Sequence, residues 1–358
     1  MPAHAIKLLI TGVCGFAGQT LARALSEHLR GLQLVGLDNL SRPGSELNRR
    51  HTRDFKFIHG DVRNASDVEA LPACHWVLDA AANPSVLAGL AHPAASRQVL
   101  EHNLLGTINL LEYCRRHGAG FILLSTSRVY SATALSALQM ESANKAFRPS
   151  LKQTWPLGCS KAGIAESFST QPPLSLYGSS KLASEILAME YAAAFGFPVW
   201  LNRCGVLAGA GQFGKADQGI FSYWLHAFAA RRPLKYIGFN GSGFQVRDAL
   251  HPADLASVLA QQIKQPANKP EPPLNFGGGC KNSMSLAQLS DWCAERFGRH
   301  KIGSEPDSRP YDVPWLVMDC GAAERRWAWK PQRGLESLLE EIAEHAEKHP
   351  DWLDLTSA

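Results

Sequence analysis

The sequence lacks most of the features that mark secreted, metal-binding or membrane proteins. Its eight cysteines are scattered, and no two have the C-x-x-C spacing of a zinc ribbon or a thioredoxin-like motif. No metal site is predicted from its thirteen histidines. No apolar run approaches the roughly 20 residues that a membrane span needs, and the N-terminus passes almost at once into a strand pattern.

The charge balance is also unremarkable. The formal net charge is only +4, and charged residues make up 19% of the chain. Proteins that bind nucleic acid or anionic membranes need clustered basic patches, which so small a surplus does not indicate. We therefore expect a soluble cytoplasmic protein with neither nucleic acid nor membrane as a partner.

What the chain does have is an alternation of short apolar strands with amphipathic helices. This pattern is typical of a parallel sheet covered on both faces, and 358 residues suffice for one large domain plus a smaller lobe. The predicted strands are Lys7 to Thr11, Leu32 to Asp38, Phe55 to Gly60, Trp76 to Asp79, Phe121 to Ser125 and Pro198 to Arg203. The predicted helices are about Phe16 to Leu29, His102 to Cys114, Ser179 to Phe195 and Gly334 to His349.

The same pattern predicts two lobes. Residues 1–205 are interpreted as a dinucleotide-binding domain, with a long loop at 131–173. Residues 206–358 are interpreted mainly as a substrate-binding α/β lobe, with some segments returning to the first domain. Two of the nine tryptophans, Trp327 and Trp329, are expected to pack the smaller lobe against the closing helix.

A glycine motif lies between the first strand and the first helix. In the segment from Thr11 to Gly18, Gly12 permits a tight turn, Gly15 lets the backbone approach a pyrophosphate, and Gly18 lets the helix lie close to the sheet. Phe16 and Ala17 open that helix beneath the phosphates. Turn glycines alone can give this spacing, but its position between a strand and a helix favours a dinucleotide site.

A carboxylate follows at the end of the second strand. Asp38, 20 residues after Gly18, is placed to accept hydrogen bonds from the adenosine ribose and to repel a 2′-phosphate, which favours NAD over NADP. The competing interpretation is a turn residue, because Asp38-Asn39 is a turn-forming dipeptide. Asp61, after the third strand, is a candidate adenine contact, although Gly60-Asp61 is also turn-like.

Three residues form a candidate catalytic set. Tyr177 and Lys181 are four residues apart, which places them on one face of a helix. An adjacent ammonium favours a tyrosine phenolate, whose ordinary pKa is near 10. Tyr-x-x-x-Lys alone is common by chance, but Thr126 at the end of the fifth strand supplies a hydroxyl where parallel sheets carry their chemistry. Tyr177 is thus predicted to move a proton on a substrate hydroxyl.

With these motifs, the chain resembles the extended short-chain dehydrogenase/reductase family of nucleotide-sugar epimerases and dehydratases over almost its whole length. Further matching segments run from Asp79 to Val86 and from Asn103 to Thr107. The resemblance implies a Rossmann-type doubly wound parallel sheet, bound NAD, a nucleotide-diphosphate sugar as substrate, and a homodimer or homotetramer. It also implies cofactor contacts at Asn39, Val62, Ala80, Ala81 and Asn103, besides Tyr177 and Lys181.

The substrate lobe most resembles the CDP-paratose 2-epimerases within that family. The matching segments include Gln212 to Gly214, Asp217 to Gly219, Gln245 to His251 and Asn275 to Gly279. The resemblance implies a diphosphate contact for Arg247. It places the other predicted substrate-binding residues at Ser127, Arg203, Gln212, Phe213 and Gln218.

The reaction implied by the resemblance is epimerisation at C2 or C4 through a keto sugar. Family dehydratases and decarboxylases carry an acid just after the catalytic hydroxyl residue, whereas this chain has Ser127 and Arg128 there. Glu166 or Glu185 can in principle supply such an acid from elsewhere. The alternatives are therefore a dehydratase, decarboxylase or ketoreductase of the same family, or a non-catalytic NAD-binding sensor.

Overall fold

The computed structural model describes residues 5–90, 95–267 and 269–357. The strands are β1 (Lys7–Thr11), β2 (Gln33–Asp38), β3 (Lys56–His59), β4 (Trp76–Asp79), β5 (Gly120–Thr126), β6 (Met140–Ala143), β7 (Ala146–Pro149), β8 (Cys159–Ser160), β9 (Gly163–Ile164), β10 (Val199–Cys204), β11 (Val206–Leu207), β12 (Leu234–Ile237), β13 (Val246–Leu250), β14 (Leu274–Phe276), β15 (Ser283–Ser285), β16 (Ile302–Glu305) and β17 (Trp315–Leu316).

The helices are α1 (Phe16–His28), α2 (Ser45–Asn48), α3 (Ala65–Glu69), α4 (Ala95–Leu100), α5 (Gly106–His117), α6 (Ala132–Ser136), α7 (Leu176–Phe195), α8 (Ile220–Ala229), α9 (Ala256–Lys264), α10 (Leu286–Phe297), α11 (Gly321–Trp327), α12 (Leu335–Lys348) and α13 (Trp352–Ser357). A π-helical turn, Glu101–Leu105, joins α4 to α5. Short 3-10 turns occupy Arg49–Thr52, Ser127–Val129, Phe239–Gly241, Pro252–Leu255 and Cys280–Asn282.

Seven parallel strands form the main sheet, in the order β14-β10-β5-β4-β1-β2-β3. Helices α1 and α9 cover one face with Leu21, Leu25 and Leu259, and helices α5 and α7 cover the other with Leu110 and Ala188. Because both faces are covered, the central strands read as continuous apolar runs, and every residue of β5 is buried. The predicted Rossmann-type doubly wound sheet is confirmed.

The second lobe is built on a smaller mixed sheet. Strand β13 pairs with β11, β15 and β17, and helices α8, α10 and α12 pack around Trp224 and Phe228. Strand β14, although late in the chain, lies in the main sheet beside β10. We propose that the boundary near residue 205 separates the two lobes, with β14 and α9 belonging to the first.

Two sequence-based expectations are wrong. The segment 131–173 is not free of regular structure: it contains α6, the β6–β7 hairpin and the β8–β9 pair, and Asn144 and Lys145 form the hairpin turn with positive φ values. Strands of two to four residues are too short to show a hydrophobic period. Trp327 and Trp329 do not meet the closing helix but pack in the main-sheet core, edge-on to Trp200 and Phe276 respectively.

Within the described ranges, no helix has both the length and the apolar character that crossing a membrane requires. In the same residues, no group of three or more His, Cys, Asp or Glu side chains is arranged to hold a metal ion.

Candidate active site

One large cavity, of about 670 Å³, lies between the two lobes at the carboxyl ends of the main-sheet strands. It is lined from one end by the glycine turn after β1 and from the other by β13 and the segment around Asp312. Ligands of open parallel sheets generally bind at this edge, where the loops diverge from the strand ends. The cavity therefore brings the predicted cofactor and substrate residues into a single site.

The glycine turn forms one end of the cavity. Gly12 has a φ of +63°, and the Gly15 N–H donates a hydrogen bond to the Gly12 carbonyl at 2.9 Å. A Cβ on Gly18 would lie 2.2 Å from the Gly12 carbonyl oxygen, so only glycine allows α1 to start this close to the strand. No side chain caps α1 at Gly15, which leaves the first-turn N–H groups facing the cavity lined by Phe16 and Ala17.

The carboxylate of Asp38 lies beside this turn. It accepts backbone N–H groups from Cys14 and Leu40, each at 2.8 Å, and it lines the cavity together with Asn39. Burial raises the pKa of Asp38, and the two backbone N–H donors oppose the shift. The fixed carboxylate suits the ribose hydroxyls of NAD, and the uncapped helix end suits its pyrophosphate.

Nearby Arg42 is already occupied by protein partners. Its guanidinium donates to the Phe213 carbonyl at 2.7 Å and to the Gln218 side-chain oxygen at 2.8 Å. These two bonds hold the guanidinium against Phe213 and Gln218, and the preference for NAD rests on the Asp38 carboxylate.

Ala80 and Ala81 follow β4 and also line the cavity, as does Val62 after β3. The N–H groups of both alanines donate to the Thr11 hydroxyl at 3.1 Å. That hydroxyl in turn donates to buried Asp79 at 2.9 Å. Asp79 thus holds the segment in place through Thr11 and does not itself face the cavity.

Two predicted cofactor residues lie outside the cavity wall. Asn103 is buried, accepts the Asn83 N–H at 2.8 Å and donates to the Ser180 hydroxyl at 3.2 Å. Asp61 pairs with Arg63 and accepts from Asn39. Both side chains are engaged by protein contacts and support neighbouring cavity residues; direct cofactor contacts at Asn103 and Asp61 stay predictions.

The three candidate catalytic residues meet in the middle of the cavity. Thr126 ends β5, and Tyr177 and Lys181 lie on one face of α7. The Ser175 hydroxyl caps α7 by accepting the Gly178 N–H at 3.0 Å, so the helix starts three residues earlier than predicted and includes Tyr177. A Cβ on Gly178 would lie 2.2 Å from the Arg128 carbonyl oxygen, which explains the glycine after Tyr177.

Electrostatics at this set differ from the sequence-based expectation. Burial raises the pKa of Tyr177 to about 12, opposed by a hydrogen bond with Thr126 and by the charge of Arg128. Burial also lowers the pKa of Lys181, opposed by the charge of Asp79. Arg128 is thus one cation that favours the Tyr177 phenolate, and the sequence alone assigned it no such role.

The predicted substrate residues are divided between cavity wall and core. Ser127, Gln212, Phe213, Gln218 and Arg247 all line the cavity. Arg247 forms an ion pair with Asp312 at 2.9 Å. The Phe213 ring is only 4% exposed and stacks on Trp352, so it presents little area to a ligand.

Arg203 does not reach the cavity. Its guanidinium forms a buried ion pair with Glu185 at 2.7 Å and donates to the Glu166 carbonyl at 3.3 Å. The Glu166 carboxylate accepts the Asn275 N–H at 2.8 Å. Arg203 is therefore corrected to a core residue, and neither glutamate is available as a catalytic acid.

Buried acceptors without a partner point to a polar ligand. Among the described side chains, four buried polar atoms make no hydrogen bond, and three of them belong to cavity residues: Ser45 Oγ, Gln212 Oε1 and Gln245 Oε1. Unsatisfied buried polar groups are costly, so such atoms are expected to bond a ligand. Gln245 belongs to a segment that resembles the family, but the sequence alone assigns it no role.

Comparison with known proteins agrees with this geometry. Residues 8–277 match the model of the NAD dependent epimerase/dehydratase family. The chain is 32% identical to CDP-paratose 2-epimerase of Salmonella typhi, over 80% of this chain and 85% of that protein. It is 26% identical to dTDP-glucose 4,6-dehydratase of Streptomyces antibioticus, over 97% and 92%.

Among solved structures, UDP-glucuronic acid 4-epimerase from Bacillus cereus, in complex with UDP-glucuronic acid and NAD, has a similar fold. The TM-score is 0.77 at 23% identity, over 96% of this chain and 99% of that one. The family match covers most of the chain and includes both the glycine turn and the catalytic set. The protein belongs to the NAD-dependent epimerase/dehydratase family, and NAD is its cofactor.

Proposed function

We propose that the protein is an NAD-dependent nucleotide-sugar epimerase that inverts C2 or C4 of the sugar. The observation that carries the proposal is the combination of Thr126, Tyr177 and Lys181 on the cavity wall with no uncommitted carboxylate. Of the described residues, three carboxylates line the cavity: Asp38, Asp217 and Asp312.

Each of these carboxylates already has a protein partner. Asp38 accepts two backbone N–H groups, Asp217 accepts the Ser85 hydroxyl, and Asp312 pairs with Arg247. Dehydration or decarboxylation assisted by a free acid therefore has less support than a reaction that needs only proton transfer at one hydroxyl.

In the proposed reaction, Tyr177 accepts the proton of the sugar hydroxyl while Thr126 holds the same oxygen by a hydrogen bond. NAD held at the glycine turn and Asp38 would supply the hydride acceptor for oxidation to a keto sugar and the hydride for its reduction on the opposite face. Tyr177 then gives its proton back to the new hydroxyl. Lys181 adds a positive charge to the same wall of the cavity, which favours anionic oxygen during the transfer.

The experiment is incubation of the purified protein, without added cofactor, with CDP-, UDP-, GDP- and dTDP-linked sugars, followed by separation and mass measurement of the products. A new product of unchanged mass supports epimerisation. A product lighter by water or carbon dioxide indicates a dehydratase or decarboxylase, and consumption of added NAD(P)H indicates a ketoreductase.

Replacement of Tyr177 by Phe separates an enzyme from a non-catalytic sensor. Removal of the hydroxyl should reduce turnover by roughly 10²–10⁴-fold, the usual contribution of a general acid/base. NAD released by heat denaturation should remain at the wild-type stoichiometry, because the ring that lines the cavity is retained. Unchanged turnover in this variant would remove Tyr177 from the mechanism.

We also propose assembly as a homodimer or homotetramer through α4, α5 and α7. Large apolar side chains are exposed on this surface at Leu100, Leu105, Ile186 and Phe195. Light scattering coupled to size-exclusion chromatography tests this, and an Ile186→Glu variant should shift the wild-type mass towards the monomer.

A further inference from the structure

Arg128 lies where the proposed reaction would take place. Its turn, Ser127–Val129, joins β5 to the segment before α6, and the Arg128 N–H donates to the Thr126 hydroxyl at 3.2 Å. On the other side, the Arg128 carbonyl lies against Gly178 of α7, where no larger residue fits. The backbone that carries this arginine is therefore held between two elements of the catalytic set.

The guanidinium of Arg128 has little to bind within the protein. It lines the cavity, and its one described side-chain hydrogen bond is a long one, from Nη1 to the Tyr311 carbonyl at 3.5 Å. No described carboxylate lies within ion-pair distance of it. A guanidinium carries five N–H donors, and a charge withdrawn from water is costly unless it is paired. Most of its bonding capacity therefore faces the cavity.

The neighbouring charges leave Arg128 without an ion-pair partner of its own. Arg247 acts on Arg128 as a like charge; among the described carboxylates, Asp312 acts on both arginines and forms its ion pair with Arg247, whereas Asp248 acts on Arg247. Burial, followed by the charge of Arg247, lowers the pKa of Arg128 to about 10, which still leaves it charged at neutral pH. Because Asp312 is paired with Arg247, Arg128 has no ion-pair partner of its own and is available to an anion in the cavity.

We propose that Arg128, together with Arg247, binds an anionic oxygen group of the substrate close to Tyr177. That group is either the phosphate of the nucleotide-sugar nearest the sugar or a carboxylate on the sugar itself. The planar guanidinium fork matches both anions through two parallel hydrogen bonds. The identity of the ligand as a nucleotide-sugar rests on the proposed function; the anion site itself rests on the position of the Arg128 guanidinium on the cavity wall without a described ion-pair partner.

Calorimetric binding to the NAD-loaded protein tests the proposal. The probes are CDP, UDP, and the matched pair UDP-glucose and UDP-glucuronic acid. Arg128→Met should weaken binding by roughly 10- to 100-fold, the usual effect of removing a charged hydrogen-bond partner. A loss shared by all bound probes identifies the phosphate, and a loss confined to UDP-glucuronic acid identifies a carboxylate.

Two further variants exclude a folding defect. Arg128→Lys keeps the charge without the fork and should recover part of the lost affinity. Arg299→Met removes an exposed arginine outside the cavity and should match the wild type. If folded Arg128→Met binds every probe within twofold of the wild type, or if the wild type binds none of them, the proposal is overturned.

These outcomes are distinguishable from failure of the proposed function. Isomerisation by the wild type with unchanged affinity in Arg128→Met would overturn only the role of Arg128. Weakened binding in Arg128→Met with no isomerisation by the wild type would support the anion site and contradict the epimerase assignment.

Discussion

Breaking the buried ion pair between Glu185 and Arg203 should destabilise the fold without removing a substrate contact. The side chains are 3% and 6% exposed, and Arg203 Nη2 lies 2.7 Å from Glu185 Oε2. Arg203 Nε lies 3.1 Å from both carboxylate oxygens, and the Ser125 hydroxyl donates to the same carboxylate. The pair thus fastens α7 to the ends of β5 and β10.

The expected magnitude follows from burial. Glu185→Gln keeps an oxygen for Ser125 but leaves the guanidinium uncompensated, and Arg203→Met leaves the carboxylate uncompensated. Each single change should cost about 3–5 kcal/mol in the free energy of unfolding. The double variant should cost only about 1–3 kcal/mol, because no unpaired buried charge remains.

Urea unfolding of the four proteins at neutral pH, followed by circular dichroism, measures this cycle. Lys348→Met is the matched control: its partner Glu344 is also exposed, so the change should stay within about 0.5 kcal/mol. The double variant should bind nucleoside diphosphates as the wild type does. If the costs of the two single changes sum to the cost of the double variant within about 0.5 kcal/mol, the coupling is refuted. If a folded double variant loses affinity for nucleoside diphosphates, Arg203 belongs to the substrate site after all.

Two further predictions concern the packing of α7 and the C-terminal helices. Gly178→Ala must displace the Arg128 turn by about 1 Å, which should reduce turnover by roughly 10²-fold. The control, Ser179→Ala, changes an exposed residue and should not reduce turnover. Equal activity in both variants would contradict the geometry. Burial lowers the pKa of His226 to about 4. Between pH 6.5 and pH 4 the unfolded chain therefore binds a proton at this residue that the folded chain does not, and the free energy of unfolding falls as the pH falls. That loss amounts to about 2 kcal/mol between pH 7 and pH 5. His226→Asn, which keeps a donor for the Ser222 carbonyl, should show a pH dependence flatter by that amount in urea titrations; identical slopes would exclude His226.

The sequence reveals features whose cause is local. The strand of Lys7 to Thr11 needs only an apolar run, and the glycines that follow it are required by one turn and one close approach. Tyr177 and Lys181 share a face because four residues are about one helical turn. Such patterns predicted the main sheet, the NAD end and the cavity position of the catalytic set.

Short or interrupted elements escaped prediction for an equally local reason. The β6–β7 hairpin has four-residue strands and an Asn144-Lys145 turn in place of the usual Asn-Gly. The predicted helix of His102 to Cys114 is confirmed, but its first turn is π-helical and the preceding α4 was not predicted. Periodicity over a few residues does not distinguish these alternatives.

The tertiary structure alone decided which polar side chains remain free for a ligand. In the sequence, Arg203 and Arg128 look alike: Arg203 ends one predicted strand of the main sheet, and Arg128 closely follows another. Arg203 is neutralised by Glu185 from a neighbouring helix, whereas Arg128 meets Arg247 and a carboxylate that is already paired. Local sequence fixes where a side chain starts, but its partners come from distant segments, and burial makes each of those pairings decisive.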